Sequence, residues 1–225
     1  MRLAILILVA LPLAASAQDD STFFGGGLYA RPRFDGSADR TVQLIPVVSY
    51  YGQPWFARTT QGVLEGGARW SVSRGLDTGV QLAYEQGPRD HDAGASIGVH
   101  LEADRTIGPA PVNGVLRVRQ HLDTNRGTEL DARGTVGVYG GHGVAAGLYA
   151  QATWASEKTF EAYYGVHQSG LLFVAVGALA SYDLTRRWLL VGSIESRRLS
   201  DAAARSPIVE RRSGVYVSGG IARRF

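Results

Sequence analysis

The sequence lacks cysteine altogether and contains a single lysine, Lys158. Without cysteine, disulfide bridges and thiolate metal sites are excluded. The formal net charge is only +3 over 225 residues, which argues against a nucleic-acid-binding function. A membrane-spanning helix needs roughly 20 apolar residues, and the longest apolar run downstream of the N-terminal segment, residues 171–180, has about half that length.

The N-terminal segment has the order of features that marks a cleavable secretory signal peptide. Arg2 precedes an apolar run over residues 3–13, and small residues follow at Ala15 and Ala17 in an A-x-A pattern. The alternative is a buried N-terminal helix, which does not explain why charge, apolar core and small residues come in this order. We therefore expect export across the inner membrane.

Cleavage is expected before Gln18, so that residues 1–17 form the signal peptide and residues 18–225 form one exported domain. An exported chain with 29 glycines and no disulfides belongs to one of two broad classes. It is either a soluble periplasmic β-protein or an outer-membrane β-barrel.

The dominant pattern in the exported domain is a hydrophobic period of two residues, which is typical of β-strands. The runs are about ten residues long, as tilted membrane-crossing strands require. The pattern predicts about twelve strands, of which the third is the weakest, so that ten strands is an alternative. The predicted strands are 22–31, 41–51, 54–60, 61–72, 76–86, 94–104, 112–122, 128–139, 143–154, 170–182, 187–199 and 212–225.

The connections between these strands alternate in length. One set is short and lies near 52–53, 73–75, 104–111, 140–142 and 183–186. The other set is longer and more charged, near 32–40, 87–93, 123–127, 155–169 and 200–211, with a tight join near Gln61 completing it. Short periplasmic turns opposite long outer loops are typical of bacterial barrels. A soluble sandwich has no reason to alternate in this way.

Alternation alone does not say which face meets lipid, but the strand ends do. Aromatic girdles mark the membrane interfaces of barrels, and aromatic residues lie near many predicted strand ends. They are Trp55, Phe56, Trp70, Tyr84, Trp154, Tyr182 and Trp188. The last strand places Phe225 on the same face as Val215 and Val217, as the assembly signal of outer-membrane barrels requires. The sequence therefore predicts an all-β, transmembrane, antiparallel up-and-down barrel in the outer membrane, assembled by the barrel assembly machinery.

The opposite face of the strands would line the lumen and is charged, with both signs in similar number. Opposite charges on neighbouring strands should pair. We therefore expect a narrow or closed lumen crossed by ion pairs rather than a wide pore. The inward residues are Glu65, Arg69, Asp77, Gln81, Glu85, His100, Glu102, Arg117, Arg119, His121, Glu129, Asp131, Arg133, Gln151, Glu195 and Arg197.

Several segments resemble the MltA-interacting protein/OmpV family of outer-membrane proteins. Residues 27–39, GLYARPRFDGSAD, are similar to the opening strand of the family and its P-x-[YF]-x-G-S-x-D loop. Residues 44–50, LIPVVSY, and 206–209, SPIV, fit the same order along the chain. One departure is Arg223, where the family usually places tyrosine, which weakens the terminal signal. The first segment is the most specific of the three.

This resemblance implies an outer-membrane protein without an enzymatic motif. One family member is described as a scaffold that links a lytic transglycosylase to a bifunctional penicillin-binding protein in murein synthesis. Others are linked to adhesion or antibiotic tolerance. The resemblance thus implies murein-synthesis enzymes as partners, but it carries over no catalytic, cofactor-binding or metal-binding residue.

Other constellations carry less. Residues 94–98, GASIG, match G-x-S-x-G, but they lie inside a strand instead of at a nucleophile elbow. Ser96, His100 and Glu102 share a strand face, as in a lipid hydrolase, but that face is the lumen face. The five histidines have no metal-ligand spacing. Residues 25–27, GGG, lack a phosphate-loop lysine and more plausibly relieve crowding in a tilted strand.

Arginine pairs next to the last long loop are candidates for lipopolysaccharide contact, since arginine binds phosphate in a bidentate manner. They are Arg197, Arg198, Arg211 and Arg212. Three functional classes follow from the sequence: a scaffold of the cell envelope, a small-solute channel, and a lipid-modifying enzyme. The mixed charge of the lumen favours the scaffold over the channel, and the missing catalytic geometry disfavours the enzyme.

Overall fold

The computed structural model describes residues 22–85 and 94–225. The predicted signal peptide with Ala15, Ala17 and Gln18, and the loop residue His91, lie outside the described residues. Within them, no helix combines the length and apolar character needed to cross a bilayer.

Twelve antiparallel strands form a closed barrel in which each strand pairs with its sequence neighbours. The strands are β1 (Phe23–Pro32), β2 (Arg40–Tyr51), β3 (Trp55–Thr60), β4 (Val63–Ser73), β5 (Leu76–Glu85), β6 (Gly94–Ile107), β7 (Ala110–His121), β8 (Thr128–Gly141), β9 (Val144–Ala155), β10 (Gly170–Asp183), β11 (Trp188–Leu199) and β12 (Ser213–Arg224). The prediction of twelve strands is confirmed, including the weak third strand, and the alternative of ten is wrong.

The alternation along the strands is that of a membrane barrel. On β5, Val80, Leu82 and Tyr84 are exposed on the outer face, whereas Gln81 and Ala83 are buried inside. Most of the buried side chains of β4 to β8 are polar, while most large apolar side chains of the strands are on the outside. The apolar face therefore meets lipid, and the polar face fills the lumen.

The short turns lie where expected, with one correction. The connection predicted over 104–111 is only Gly108-Pro109, because β6 continues to Ile107 and β7 begins at Ala110. Gly108 has φ +60°, a conformation that glycine adopts without steric cost. The sequence does not show a clear alternation there, because charged residues and proline occupy these strand ends. Strand ends tolerate such residues since they lie in the interfacial region.

The long loops cover the other end of the barrel. A short 3₁₀ turn spans Thr124–Arg126, helix α1 spans Glu157–Tyr164 and helix α2 spans Asp201–Ala204. Phe160 of α1 and Ala203 of α2 are fully buried and belong to one apolar cluster with Leu172 and Leu199. This cluster fixes both helices over the outer end of the lumen.

The barrel closes where β1 pairs with β12, which we call the closing seam. Gly25 pairs with Ala222, and Gly27 pairs with Gly220. A Cβ atom on Gly25 would lie 2.0 Å from the carbonyl oxygen of Ile221. Glycine is therefore required at this position for close strand approach, as expected from the glycine run.

Candidate functional site in the barrel lumen

The middle of the lumen is crossed by an ion-pair network centred on Glu65 of β4. Arg58 Nε lies 3.0 Å from Glu65, and Arg58 Nη1 lies 3.1 Å from Glu102 of β6. Arg117 of β7 also contacts Glu65, and its Nε lies 3.1 Å from Asp131 of β8. The Glu65 side chain has no exposed surface, so two guanidinium groups neutralise one fully buried carboxylate.

The network continues toward the outer loops through Arg119 of β7. Its Nη2 lies 2.9 Å from Glu129 and 3.2 Å from Asp131. Glu85 of β5 lies 3.8 Å from Arg119, and His121 sits between Glu85 and Glu129. The predicted pairing of charges across neighbouring strands is confirmed. Breaking one member of such a buried network leaves an uncompensated charge, which is costly.

A second cluster fastens the first outer loop, residues 33–39, to the barrel wall. Asp35 lies 2.6 Å from Arg197 Nη1 of β11, and the Tyr216 hydroxyl donates a hydrogen bond to Asp35. Arg197 also lies 2.9 Å from Glu195. Burial acts to raise the pKa of Asp35, but Arg197 and the Tyr216 hydrogen bond outweigh it, so the pKa is lowered.

This placement corrects one sequence-based assignment. The sequence predicts Arg197 as an inward-facing residue and also as a candidate for lipopolysaccharide contact. Its guanidinium stacks inside the barrel on Phe173 at 4.1 Å and Tyr216 at 4.4 Å, so the inward position is confirmed and the surface contact is not supported. The strand period explains the difference, because Arg197 shares the inward face with Glu195. Its neighbour Arg198 points outward and is exposed.

The turn between β3 and β4 lies inside the lumen instead of at the outer rim. Both turn residues, Gln61 and Gly62, have positive φ values, 51° and 80°. The Gln61 amide donates to the Tyr149 hydroxyl at 3.5 Å and to Glu195, which belong to β9 and β11. The expected outer join near Gln61 is therefore wrong. β3 has only six residues and pairs with β2 only from Phe56 to Arg58, so the tip of the hairpin leaves the wall and turns inward.

This hairpin tip separates two cavities. The outer cavity, about 150 Å³, lies below the long loops and is lined by Asp35, Arg119 and Tyr163 among others. The inner cavity, about 480 Å³, is lined by Ile45, Arg58, Asn113, Arg133, Tyr149 and Ser218 among others. Both cavities share residues 60–62 as a boundary. The lumen is thus divided at mid-height.

One lumen arginine differs from the others. Among the described residues, Arg133 of β8 forms no ion pair and no hydrogen bond, and its guanidinium lies over the Tyr149 ring at 3.9 Å. Arg58, Arg117 and Arg119 each contact at least two carboxylates. Arg133 is therefore a cation of the inner cavity that is free to bind an anion.

The candidate hydrolase residues do not form a charge relay in the described part of the chain. Ser96, His100 and Glu102 are buried in the lumen face of β6. Ser96 Oγ and His100 Nδ1 have no hydrogen-bond partner, and the His100 ring packs edge-on against Phe56 at 5.2 Å. Within residues 22–85 and 94–225, no group of three or more His, Asp or Glu side chains is arranged to hold a metal ion.

The family model described as "MltA-interacting protein MipA" matches residues 24–225, which is nearly the whole described chain. The chain belongs to this family. No curated protein matches the sequence significantly. The family and the barrel fold together place the protein in the outer membrane.

Solved outer-membrane barrels share the fold at low sequence identity. The NanC porin matches with a TM-score of 0.55 and 14% identity, covering 90% of this chain and 100% of that chain. An anion-selective porin from Comamonas acidovorans matches with a TM-score of 0.44 and 13% identity, covering 83% of this chain and 60% of that chain. OmpT of Vibrio cholerae matches with a TM-score of 0.43 and 7% identity, covering 92% and 99%. The first likeness supports the fold alone.

Two of the segments that resemble the MipA family touch each other in the structure. A Cβ atom on Gly36, in the first outer loop, would lie 3.0 Å from a methyl group of Val209. The Gly36 carbonyl accepts hydrogen bonds from the backbone of Glu210 and Arg211 at 2.8 and 2.9 Å. The family-like loop and the SPIV segment therefore form one joint structure at the outer end.

The barrel rims hold the remaining predicted residues. Trp55, Trp70, Tyr84, Trp154, Tyr182 and Trp188 are exposed on the lipid face, whereas Phe56 is 4% exposed and faces the lumen, which corrects its assignment to a girdle. Phe225 is exposed on the lipid side, and its backbone N–H donates to the Thr22 carbonyl at 3.1 Å. Its role as an assembly signal stays a prediction.

Proposed function

We propose that this outer-membrane barrel is a non-enzymatic scaffold of the cell envelope that associates with murein-synthesis enzymes. The observation that carries the proposal is the lumen, which the hairpin tip and the Glu65 network cross at mid-height. A barrel whose lumen is filled in this way is suited to a structural role. The name of the family, MltA-interacting protein, supports a murein enzyme as the partner. The resemblance to the family implies a lytic transglycosylase, with a penicillin-binding protein in the same assembly.

The inner rim, which the short turns form at the end of the barrel opposite the long loops, offers a surface for such a partner. The short turns and the neighbouring strand ends carry exposed arginines with few exposed carboxylates between them. They are Arg74, Arg105, Arg186, Arg187 and Arg223. A basic rim favours a partner with an acidic patch, and complementary charge mainly speeds association and sets orientation.

The non-enzymatic assignment is supported by the state of Ser96. A serine nucleophile needs a base within hydrogen-bond reach, and Ser96 Oγ has none among the described residues. It also lies on the lumen face of the barrel. Purified barrel in mixed micelles should therefore release no fatty acid from phospholipid.

The experiment is co-purification of the tagged full chain from envelope extracts, followed by mass spectrometry. We expect a lytic transglycosylase and a penicillin-binding protein to be enriched over an unrelated outer-membrane barrel. A triple variant with Arg74, Arg186 and Arg187 changed to glutamate should lose this enrichment, whereas Arg198→Glu and Arg211→Glu at the outer rim should not. Equal recovery of both enzymes with the unrelated barrel would contradict the proposal.

A channel is the second candidate, and the two lumen cavities favour it. Rearrangement of the Gln61 hairpin would connect them into one path. Planar-bilayer recording on the refolded protein distinguishes the two functions. The scaffold proposal expects no stable conductance step, and porin-like steps or swelling of proteoliposomes in sugars would favour the channel.

A further inference from the structure

In the closed barrel, the ladder between β2 and β3 is much shorter than the ladder between β1 and β2. β1 and β2 pair over ten residue pairs, from Phe23–Ser49 to Pro32–Arg40. On its other side, β2 pairs with β3 only through Ser49, Tyr50 and Tyr51. Because β3 turns into the lumen after that point, residues 40–48 of β2 have a strand partner on one side only within residues 22–85 and 94–225.

An unpaired strand edge is costly in lipid. Each backbone N–H or C=O without a partner costs several kcal/mol in hydrocarbon, so open edges persist only where they line a water-filled or occupied cavity. The inner cavity meets this requirement, because its lining includes Ile45, Val47 and Val48 of β2 and Thr59 of the hairpin. Val48 belongs to the lipid-facing side of β2, so the cavity reaches the free edge.

The side chains change from apolar at the gap to charged in the interior of the barrel. Val42 and Leu44, on the lipid face next to the gap, are 63% and 79% exposed. Ile45 and Val47 continue this apolar surface into the cavity. At the other side of the same cavity lies Arg133, which has no ion pair among the described residues.

We propose that the gap between β2 and the β3–β4 hairpin is a lateral opening for an anionic amphiphile. Its acyl chain lies in the gap along Ile45 and Val47, and its carboxylate or phosphate binds the Arg133 guanidinium. Arginine suits this role, since its planar fork forms bidentate hydrogen bonds with both anions. The assignment adds a ligand site and does not depend on the scaffold function.

The test measures binding of 11-(dansylamino)undecanoic acid to the full chain refolded in uncharged detergent, by the increase in dansyl fluorescence. Arg133→Gln should weaken binding about tenfold or more, as expected for loss of a charge-assisted bidentate contact. Ile45→Trp should weaken it to a similar extent, because Ile45 lines the inner cavity and the larger side chain would fill the space for the acyl chain. Leu44→Trp is the matched control, because this neighbouring residue points to lipid, and it should bind like wild type.

Competition separates the possible sources of the anion. Dodecanoate and a lysophospholipid with a phosphate headgroup should displace the probe, whereas acetate and inorganic phosphate should not at the same concentration. Displacement by the small anions alone, or unchanged binding in both Arg133→Gln and Ile45→Trp, would overturn the lateral opening. Heat-modifiable gel migration confirms that each variant is folded, and Arg133→Lys, which keeps the charge, should retain part of the affinity if Arg133→Gln does not fold.

Discussion

Two opposite sides of the barrel differ in the side chains that pack between and inside their strands. At the closing seam, Gly25 and Gly27 of β1 meet Ala222 and Gly220 of β12, and the strands approach without side chains between them. Across the lumen, β7 and β8 carry long charged side chains that bond to each other and to Glu65. The first side is closed by small residues, and the second is closed by ion pairs.

The difference teaches that the same barrel tolerates different substitutions on its two sides. At the closing seam, substitutions that add volume should destabilise the barrel most, since a Cβ atom there meets backbone atoms that cannot move aside. On the ion-paired side, substitutions that remove a charge should destabilise the barrel most, because the remaining partners are buried and are no longer neutralised. Matched substitutions on each side separate these two effects.

The largest effect is expected for Gly25→Val. The new Cβ would lie 2.0 Å from the Ile221 carbonyl oxygen, so β1 and β12 would have to separate and the barrel would not close. Folded yield in detergent, measured by heat-modifiable migration, should fall close to zero. Gly26→Val is the control, because a Cβ at Gly26 has no atom within 4 Å, and it should fold normally. Equal yields for the two variants would contradict the role given to the seam.

Deletion of Phe225 should give the next largest effect. Its backbone extends the seam by one hydrogen bond to Thr22, and its ring is exposed on the lipid side. In cells, we expect the deletion to lower the amount of folded barrel in the outer membrane severalfold, while Phe225→Tyr stays close to wild type. Comparing the same proteins refolded in detergent distinguishes a defect in assembly from a defect in stability. Unchanged folded yield in cells would count against an assembly signal.

Glu65→Gln tests the ion-paired side. The substitution leaves Arg58 and Arg117 with less negative charge in a buried site and should lower the free energy of unfolding by about 3–5 kcal/mol. Asp77→Asn is the control, because the Asp77–Arg69 pair is 3.5 Å long and partly exposed, and it should cost under about 1 kcal/mol. Urea unfolding in lipid vesicles, followed by tryptophan fluorescence, measures both. A similar loss of unfolding free energy for both variants would show that the buried network contributes no more to stability than an exposed ion pair.

Strand number, strand faces and lumen charges could be predicted from the sequence because a period of two fixes which side each residue faces. Arg117, Arg119 and Asp131 alternate with apolar residues, so their meeting in the lumen follows from pattern alone. The inward hairpin could not be predicted in the same way. A tight turn at Gln61 has the same local sequence whether it stands at the rim or bends into the lumen.

The loop contacts were also beyond prediction. Asp35 and Arg197 are 162 positions apart and meet because the first outer loop folds down over β11 and β12. Period two placed Arg197 on the inward face, but its position beside a charged loop also suggested a surface role. Only the path of the loop decides between these interpretations, and loops have no periodicity to read.

Asp35 of the first outer loop is bonded to Arg197 of β11 and Tyr216 of β12, and acid should break this contact. Its pKa is lowered in the folded protein, so its stabilising contribution is complete above the ordinary aspartate value of about 4 and is lost as pH falls below it. Hydrogen-exchange protection at residues 36–37, taken relative to the intrinsic exchange rate at each pH, should therefore decrease in acid, and Asp35→Asn should show the low protection already at pH 7. The exposed Asp39→Asn is the control. Protection that does not change with pH in the wild type would refute the anchor.

The smallest effect is expected at the outer rim, where Arg198 and Arg211 are exposed near the end of the closing seam. Arg212 is already paired with Asp201 at 2.6 Å, so the other two are the arginines better placed for lipopolysaccharide phosphates. Exposed ion pairs are worth about 0.2–1 kcal/mol, so Arg198→Gln and Arg211→Gln should each weaken lipopolysaccharide binding by about fivefold at most. Surface plasmon resonance with immobilised lipopolysaccharide at low and high salt measures this loss, which salt should diminish. Arg223→Gln removes the same charge at the opposite rim and should have no effect. An equal loss for Arg223→Gln would mean that net charge, rather than the outer rim, attracts the lipid.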